Sequence, residues 1–167
     1  LVDLVEEGYD LAVRIARLPS STLVSRPLAS TRMVLCASPD YLAIHGHPIH
    51  PTELRQHRVL SYSLFSLGDQ WSFEGPQGPV GVSVSPVLNT NSGDTCRFAA
   101  LDGQGVMLQP SFLVADDIRS GRLQELMPEY RALSLDICTM YPTRQLVPHK
   151  VRVMIDYLVD AFRSPPW

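Results

Sequence analysis

Asn89-Thr-Asn-Ser-Gly-Asp-Thr-Cys-Arg-Phe-Ala-Ala-Leu-Asp-Gly-Gln-Gly-Val-Met-Leu-Gln-Pro110 holds a strand end, a turn, a short helix and a second strand in one run. The polar, glycine-containing opening reads as a turn, Ser92-Gly93 as the start of the helix, and Gly103 as its stop. Gly105 to Leu108 reads as a short apolar strand that ends at Pro110. The first N–H groups of such a helix have no intrahelical partner and can hold an anion or a polar ligand. No nucleophile–base pair stands beside them, so the stretch reads as a place to bind a small molecule, not to transform one.

The same alternation of strand and helix extends to both sides. Asp10 to Ile15, bounded by Gly8 and Pro19, reads as a strand. Leu23 to Ala37 is rich in Val, Leu and Thr and reads as two strands parted near Ala29-Ser30-Thr31. Ser38-Pro39-Asp40 starts a short helix that ends at Gly46: a hydroxyl N-cap, proline at the first helical position, and an acid in the first turn. Pro51 to Arg55 is a helical turn and Val59 to Ser63 a strand. Trp71-Ser-Phe73 and Val80 to Val84 read as half-buried strands with turns between them, which makes Trp71 and Phe73 core residues. Pro86 to Asn89 is a further strand, Pro110 to Arg119 a helix stopped by Gly121, and Leu123 to Met127 and Leu133 to Met140 are strands. After Pro148, residues Val151, Met154, Ile155, Leu158, Val159 and Phe162 form one apolar helical stripe, which Pro165-Pro166 ends. This order implies an α/β fold with a largely parallel sheet.

With 167 residues the chain is long enough for one domain or two small lobes. Its basic residues, 14 in number, are scattered and outnumbered by 17 acidic ones, so the chain lacks the basic face of a nucleic-acid-binding domain and is not expected to hold DNA by itself. No run of about 18 apolar residues is present, so no membrane span is expected. Leu1 to Gly8 reads as the end of a helical turn, as if more chain preceded it. Cys36, Cys96 and Cys138 have no C-x-x-C spacing and read as small buried side chains in a reducing compartment.

Enzyme chemistry finds little support. There is no G-x-S-x-G, and no histidine is selected as a base for Ser92, so no catalytic residue is assigned. His45-Gly-His47 and His50 cluster in a loop without an acid or cysteine at ligand spacing; they read as surface histidines, with no metal site. No cofactor is implied. His57 and His149 read as structural, and Asp116-Asp117 as a solvated helix face. Gln109, Pro110 and Phe112 fall where a strand ends, the usual ligand position in open α/β sheets, although Phe112 could equally be core.

Four motifs in this order, Asp10-Leu-Ala-Val-Arg-Ile-Ala-Arg17, Arg32-Met-Val-Leu-Cys-Ala-Ser-Pro-Asp-Tyr-Leu42, Gly105-Val-Met-Leu-Gln-Pro110 and Pro148-His-Lys-Val-Arg-Val-Met-Ile-Asp-Tyr-Leu158, together resemble the effector-binding domain of LysR-type bacterial transcriptional regulators. The resemblance implies a type II periplasmic-binding-protein-like α/β fold of two lobes with a ligand cleft. Residues 1–32 plus 134–167 would form lobe I, incomplete at its start, and residues 33–133 lobe II. It implies a cytoplasmic protein that senses a small-molecule effector, such as a carboxylate or another metabolite, as a homodimer or homotetramer. DNA would be bound only through an N-terminal helix-turn-helix absent from this chain. The ligand residues it points to are Arg17, Asn91, Ser92, Gly93, Thr95, Gln109 and Phe112. Arg17 could grip a carboxylate by two parallel hydrogen bonds or be a solvated loop arginine. The turn residues could line the pocket or merely cap the helix. Gly93 would let a ligand approach the backbone, while Asp94 would not suit an anion. A periplasmic solute-binding protein of a transporter shares the fold and is the alternative. In peroxide-sensing members the reactive cysteines follow the strand that here reads His57 to Ser61. This chain has no cysteine between Cys36 and Cys96, so no peroxide switch is expected.

Overall fold

The computed structural model describes residues 4, 6–16, 24–64, 68–142 and 147–163. The chain divides into two compact units, one made of Leu1–Thr31 and Ser134–Trp167, the other of Arg32–Leu133.

In the first unit β1 (Ala12–Ala16) pairs antiparallel with β10 (Ser134–Tyr141), Val13 opposite Thr139 and Ile15 opposite Ile137. β10 pairs in turn with β2 (Val24–Ala37). Leu4, Cys138 and Met140 pack with Ala12 into a small core. α4 (His149–Ala161) begins at Pro148, whose fixed φ suits a helix start. Its buried line is narrower than the spacing suggests. Val151 and Ile155 are buried and Leu158, Val159 and Phe162 half-buried, but Met154 is exposed. Met154 lies on the far margin of the stripe, about 60° from Val151 around the axis. The Pro165-Pro166 stop lies outside the described residues.

β2 runs for 14 residues without the break expected at Ala29-Ser30-Thr31. Ser and Thr do not oppose an extended backbone. Burial is what changes there: Val24–Ser30 are exposed or half-buried, whereas Met33–Ala37 are buried throughout. The boundary between the units falls between Thr31 and Arg32, inside this strand.

In the second unit the strand order is β2, β7 (Val106–Pro110), β3 (Val59–Tyr62), β6 (Pro86–Thr90). β2 is antiparallel to β7, with Leu35 opposite Leu108, and antiparallel to the two-residue β8 (Gln124–Glu125). Among the described residues β7, β3 and β6 run parallel, while β2 runs antiparallel to β7 and β8, and β1 antiparallel to β10, so the expectation of a largely parallel sheet is corrected to a mixed one. The long β2 returns in the opposite sense to the strands that follow it, and hydrophobic patterning does not encode strand direction. Leu123 to Met127 contributes only β8.

The local starts and stops follow from side-chain chemistry. α1 (Pro39–His45) is capped by the Ser38 hydroxyl, which accepts from Tyr41 N–H at 3.3 Å, and it ends at Gly46 with φ +81°. A 3₁₀ turn follows over Pro51–Gln56. β4 (Gln70–Gly75) and β5 (Gly78–Ser83) make the hairpin, and β9 (Arg131–Ala132) pairs with β4. Trp71, Phe73 and Val82 are its buried residues. α2 (Gly93–Leu101) and α3 (Ser111–Arg119) cover the main sheet. The core joins Val34, Cys36, Leu60 and Met107 from strands to Cys96, Ala100 and Val114 from these helices, with Leu123. Each large apolar side chain so buried stabilises by about 1.5–3 kcal/mol. Gly105 permits the closest approach in this layer: a Cβ there would stand 2.3 Å from the Arg58 carbonyl oxygen, which accepts from Val106 N–H at 2.8 Å.

Candidate functional site

β6 and β7 flank β3 and both run parallel to it, so their carboxyl ends lie along one edge of the sheet. The chain leaves β6 through Asn91-Ser92 into α2 and leaves β7 directly into α3. Two helix N-termini therefore start at that edge, each with first-turn N–H groups that lack an intrahelical partner and with the positive end of a helix dipole.

The first turn of α2 shows which groups remain available. The Ser92 hydroxyl accepts from Thr95 N–H at 3.2 Å, and the Ser92 carbonyl accepts from Cys96 N–H at 3.3 Å. Ser92 N–H itself donates to the Thr90 hydroxyl at 3.2 Å. Ser92 thus acts as an N-cap, as its residue type allows. The N–H groups of Gly93 and Asp94 have no hydrogen-bond partner among the described residues. Asn91 and Thr95 are exposed, and Ser92 and Gly93 half-buried. A Cβ on Gly93 would meet Leu113 Cδ2 at 3.0 Å and Gln109 Oε1 at 3.4 Å. The space over that glycine is filled by α3 and β7, so its missing side chain serves the packing of α2 rather than the approach of a ligand.

Gln109 is the unusual member. It lies one residue before the end of β7 and, two residues on from the core residue Met107, on the same sheet face under α2 and α3. It is 3 % exposed, the amide atom that lies against Gly93 is the acceptor Oε1, and its Nε2 makes no hydrogen bond of good geometry among the described residues. Leaving such a donor buried and unpaired costs about 1–3 kcal/mol. Cys96 stands beside it. Burial pushes the Cys96 thiol pKa up, the Gln109 amide opposes that shift, and the thiol donates to the Ser61 carbonyl at 3.5 Å. Phe112, in the first turn of α3, is 39 % exposed and so is not core. Arg17 lies outside the described residues. The structure thus brings Ser92, Gly93, Thr95 and Gln109 together around one helix start, with Asn91 just before it and Phe112 at the start of the next helix.

Ser61 and Tyr62, at the carboxyl end of β3, were not singled out in the sequence. Pairing places Ser61 opposite Asn89 and Tyr62 opposite Thr90, and with Trp71 and Leu108 they line a shallow hollow. Only the strand register reveals that adjacency. Asp116-Asp117 needs correction. Asp116 is solvated, but Asp117 is 0 % exposed and is held by Arg97 from α2 (Nη2 to Oδ1, 3.0 Å) and by Arg122. It fastens α2 to α3 and holds the first helix of the site in place.

His45 and His47 are exposed, and His50 caps the 3₁₀ turn, its Nδ1 accepting from Thr52 N–H at 3.3 Å. Among the described residues no three His, Cys, Asp or Glu side chains could hold a metal ion. His57 shares a hydrogen bond of 3.0 Å with the Tyr41 hydroxyl, in keeping with a structural role. Burial lowers its pKa, His45 adding to the effect. No helix among the described residues is long and apolar enough to cross a membrane.

The sequence pattern of the family described as the LysR substrate binding domain matches residues 1–163. The chain is 34 % identical over 166 residues to the HTH-type transcriptional regulator DmlR of Escherichia coli, covering 97 % of this chain and 53 % of that protein. It is 31 % identical over 162 residues to the HTH-type transcriptional activator AaeR of the same organism, covering 96 % and 52 %. Among solved structures it resembles the regulatory domain of CrgA, a LysR-type transcriptional regulator from Neisseria meningitidis, with TM-score 0.84, 31 % identity, and coverage of 95 % of this chain and 78 % of that one. It also resembles full-length AphB, the Vibrio cholerae virulence activator, with TM-score 0.83, 28 % identity, and coverage of 96 % and 54 %. The chain spans about half the length of the curated relatives it matches. These relatives are transcriptional regulators, neither enzymes nor transport proteins. The mixed α/β architecture is that of LysR regulatory domains, a type II periplasmic-binding-protein-like fold. On its pattern match and these likenesses alike, the chain belongs to the LysR substrate-binding domain family.

Proposed function

We propose that this chain is the effector-sensing part of a LysR-type DNA-binding transcriptional regulator, and that its small-molecule effector binds at the carboxyl ends of β6 and β7. The observation that carries the role is the family match over residues 1–163. What supports the location is the start of α2, where two N–H groups are open among the described residues at the carboxyl ends of the parallel strands. Asn91, Ser92, Gly93, Thr95, Gln109 and Phe112 would form the site. Ser92 and Gly93 shape it, while Asn91, Thr95, Gln109 and Phe112 offer side chains to the ligand. In the whole protein a helix-turn-helix outside this chain would meet DNA, the protein would be cytoplasmic, and it would work as a homodimer or homotetramer. Effector binding would then bias the arrangement of paired DNA-binding heads by its different affinity for two states.

The test is a thermal-shift screen of the chain against small metabolites, followed by titration of each hit against Thr95→Ala. Loss of one hydrogen bond to the ligand should weaken binding by roughly 1–3 kcal/mol while leaving the unliganded Tm nearly unchanged. A hit that binds Thr95→Ala and the parent equally well would remove Thr95 from the site. A screen without hits would count against the sensing role.

A further inference from the structure

At the amino ends of β3 and β7 the second unit holds a cluster that the effector site does not use. Tyr41, on α1, is 1 % exposed, and its hydroxyl has two partners among the described residues. It accepts from Arg58 N–H at 3.0 Å and stands 3.0 Å from His57 Nδ1. A phenol has one proton to donate. With Arg58 already donating to the oxygen, His57 Nδ1 is the acceptor for that proton, and the neutral ring carries its own hydrogen on Nε2. A proton on Nδ1 would turn this acceptor into a donor and leave the buried hydroxyl hydrogen without a partner. The surroundings add to the effect. His45, in the last turn of α1, stacks on the Tyr41 ring at 4.4 Å, and His57 meets the same ring at 5.8 Å. Two imidazoles thus share one aromatic ring, and a charge on one opposes a charge on the other. Arg58 brings a further positive charge to Tyr41, its Nε donating to the Gln104 carbonyl at 3.0 Å. Glu53, on the 3₁₀ turn, is the group that favours a charged His57, and its carboxylate also accepts from Ile49 N–H at 3.1 Å. The same contacts fasten α1 to the sheet, because the Arg58 carbonyl accepts from Val106 N–H at 2.8 Å and so links Tyr41 to the start of β7.

We propose that Tyr41 and His57 form an acid-sensitive latch between α1 and the start of β3, closed while neutral His57 accepts the Tyr41 hydroxyl proton and opened when a proton from solvent occupies Nδ1. Burial holds the His57 ring below the ordinary 6.5, His45 adding to the effect and Glu53 opposing it. As pH falls through 6.5 the folded chain therefore binds fewer protons than the unfolded chain. The contribution of the latch is full above that value and is lost below it. The latch lies at the amino edge of the parallel strands and the proposed effector site at their carboxyl edge. Acid and effector would then act on one unit from opposite ends.

The test follows the ring itself. ¹H–¹⁵N spectra of the labelled chain, recorded from about pH 8 to about pH 5, report the tautomer and the titration of His57. Neutral His57 should carry its hydrogen on Nε2 and titrate below 6.5. Tyr41→Phe removes the proton donated to Nδ1 and should move the His57 titration upward. Urea unfolding gives the second readout. The midpoint of the parent should fall between about pH 7.5 and about pH 5.5. That of His57→Asn should fall by less, because its Oδ1 accepts near the place of Nδ1 and does not titrate. A His57 that titrates at or above 6.5 overturns the proposal, and so does a neutral ring with its hydrogen on Nδ1. A titration unmoved in Tyr41→Phe, or an equal loss of midpoint in the parent and His57→Asn, overturns it as well. If either variant does not fold, the tautomer and titration of the parent decide alone. None of these outcomes bears on where the effector binds.

Discussion

At the scale of single residues, two positions make sharp demands. Gly105 has no room for a side chain, since a Cβ would meet a backbone oxygen of Arg58 at 2.3 Å, and backbone cannot rotate away as a side chain can. Gly105→Ala should therefore push β7 from β3 and cost about 1–3 kcal/mol, read as a lower midpoint in urea unfolding. An unchanged midpoint would mean that the two strands yield freely. The cysteines make the second demand. Cys36, Cys96 and Cys138 are all buried and free, and burial pushes the thiols of Cys36 and Cys96 well away from thiolate formation, Glu125 adding to the shift at Cys36. The native chain should react with a thiol reagent such as DTNB far more slowly than the urea-unfolded chain, in which all three react. A rapid native phase would reveal an accessible cysteine. The burial of Cys36 and Cys138 was readable from their apolar surroundings, whereas Cys96 stands among polar neighbours in the first turn of α2. The opposite environments of Asp116 and Asp117 were not readable, because adjacent helix positions differ by about 100° in direction and a sequence does not say which one faces an arginine of another helix.

Among the elements, capping and stop signals were the most legible features. Ser38-Pro39, Gly46, Ser92-Gly93, Gly103 and Gly121 bound α1, α2 and α3 as their chemistry requires, since each rule concerns neighbours in the chain. Pairing was less legible. The continuity of β2, the brevity of β8 and the antiparallel sense of β2 against β7 depend on partners 70 or more residues away. The helix start at residues 91–95 was visible for the same local reason as the caps, but the role of Gly93 was misjudged because Leu113 and Gln109 fill its space from elsewhere in the fold. Asp117 joins these elements. Asp117→Asn would leave Arg97 and Arg122 without their carboxylate. Arg122 is more than half exposed and Arg97 partly so, which lets both recover water. The expected loss is about 1–3 kcal/mol, below the 3–5 kcal/mol of a fully buried pair. Because α2 is fastened at this point, hydrogen exchange should rise in α2 and α3 before the rest of the unit. Uniform loosening would show that the ion pairs support the fold generally and do not hold the site in particular.

For the whole molecule, the α/β class followed from the order of elements, and the family from four motifs spread along the chain. Local patterns of 10–20 residues suffice for both. The place where a ligand meets the protein needs more: the parallel sense of β3, β6 and β7, the burial of Gln109 and the occupied N–H groups of α2 appear only once the chain is folded. The central claim, that a small effector binds over the start of α2 at the carboxyl ends of β6 and β7, is tested most directly by hydrogen–deuterium exchange of the chain with and without a saturating ligand from the metabolite screen. The account predicts that protection increases in peptides covering residues 90–98 and 108–114, with the largest change at the first turn of α2. Protection confined to other segments, with these two unchanged, would contradict it.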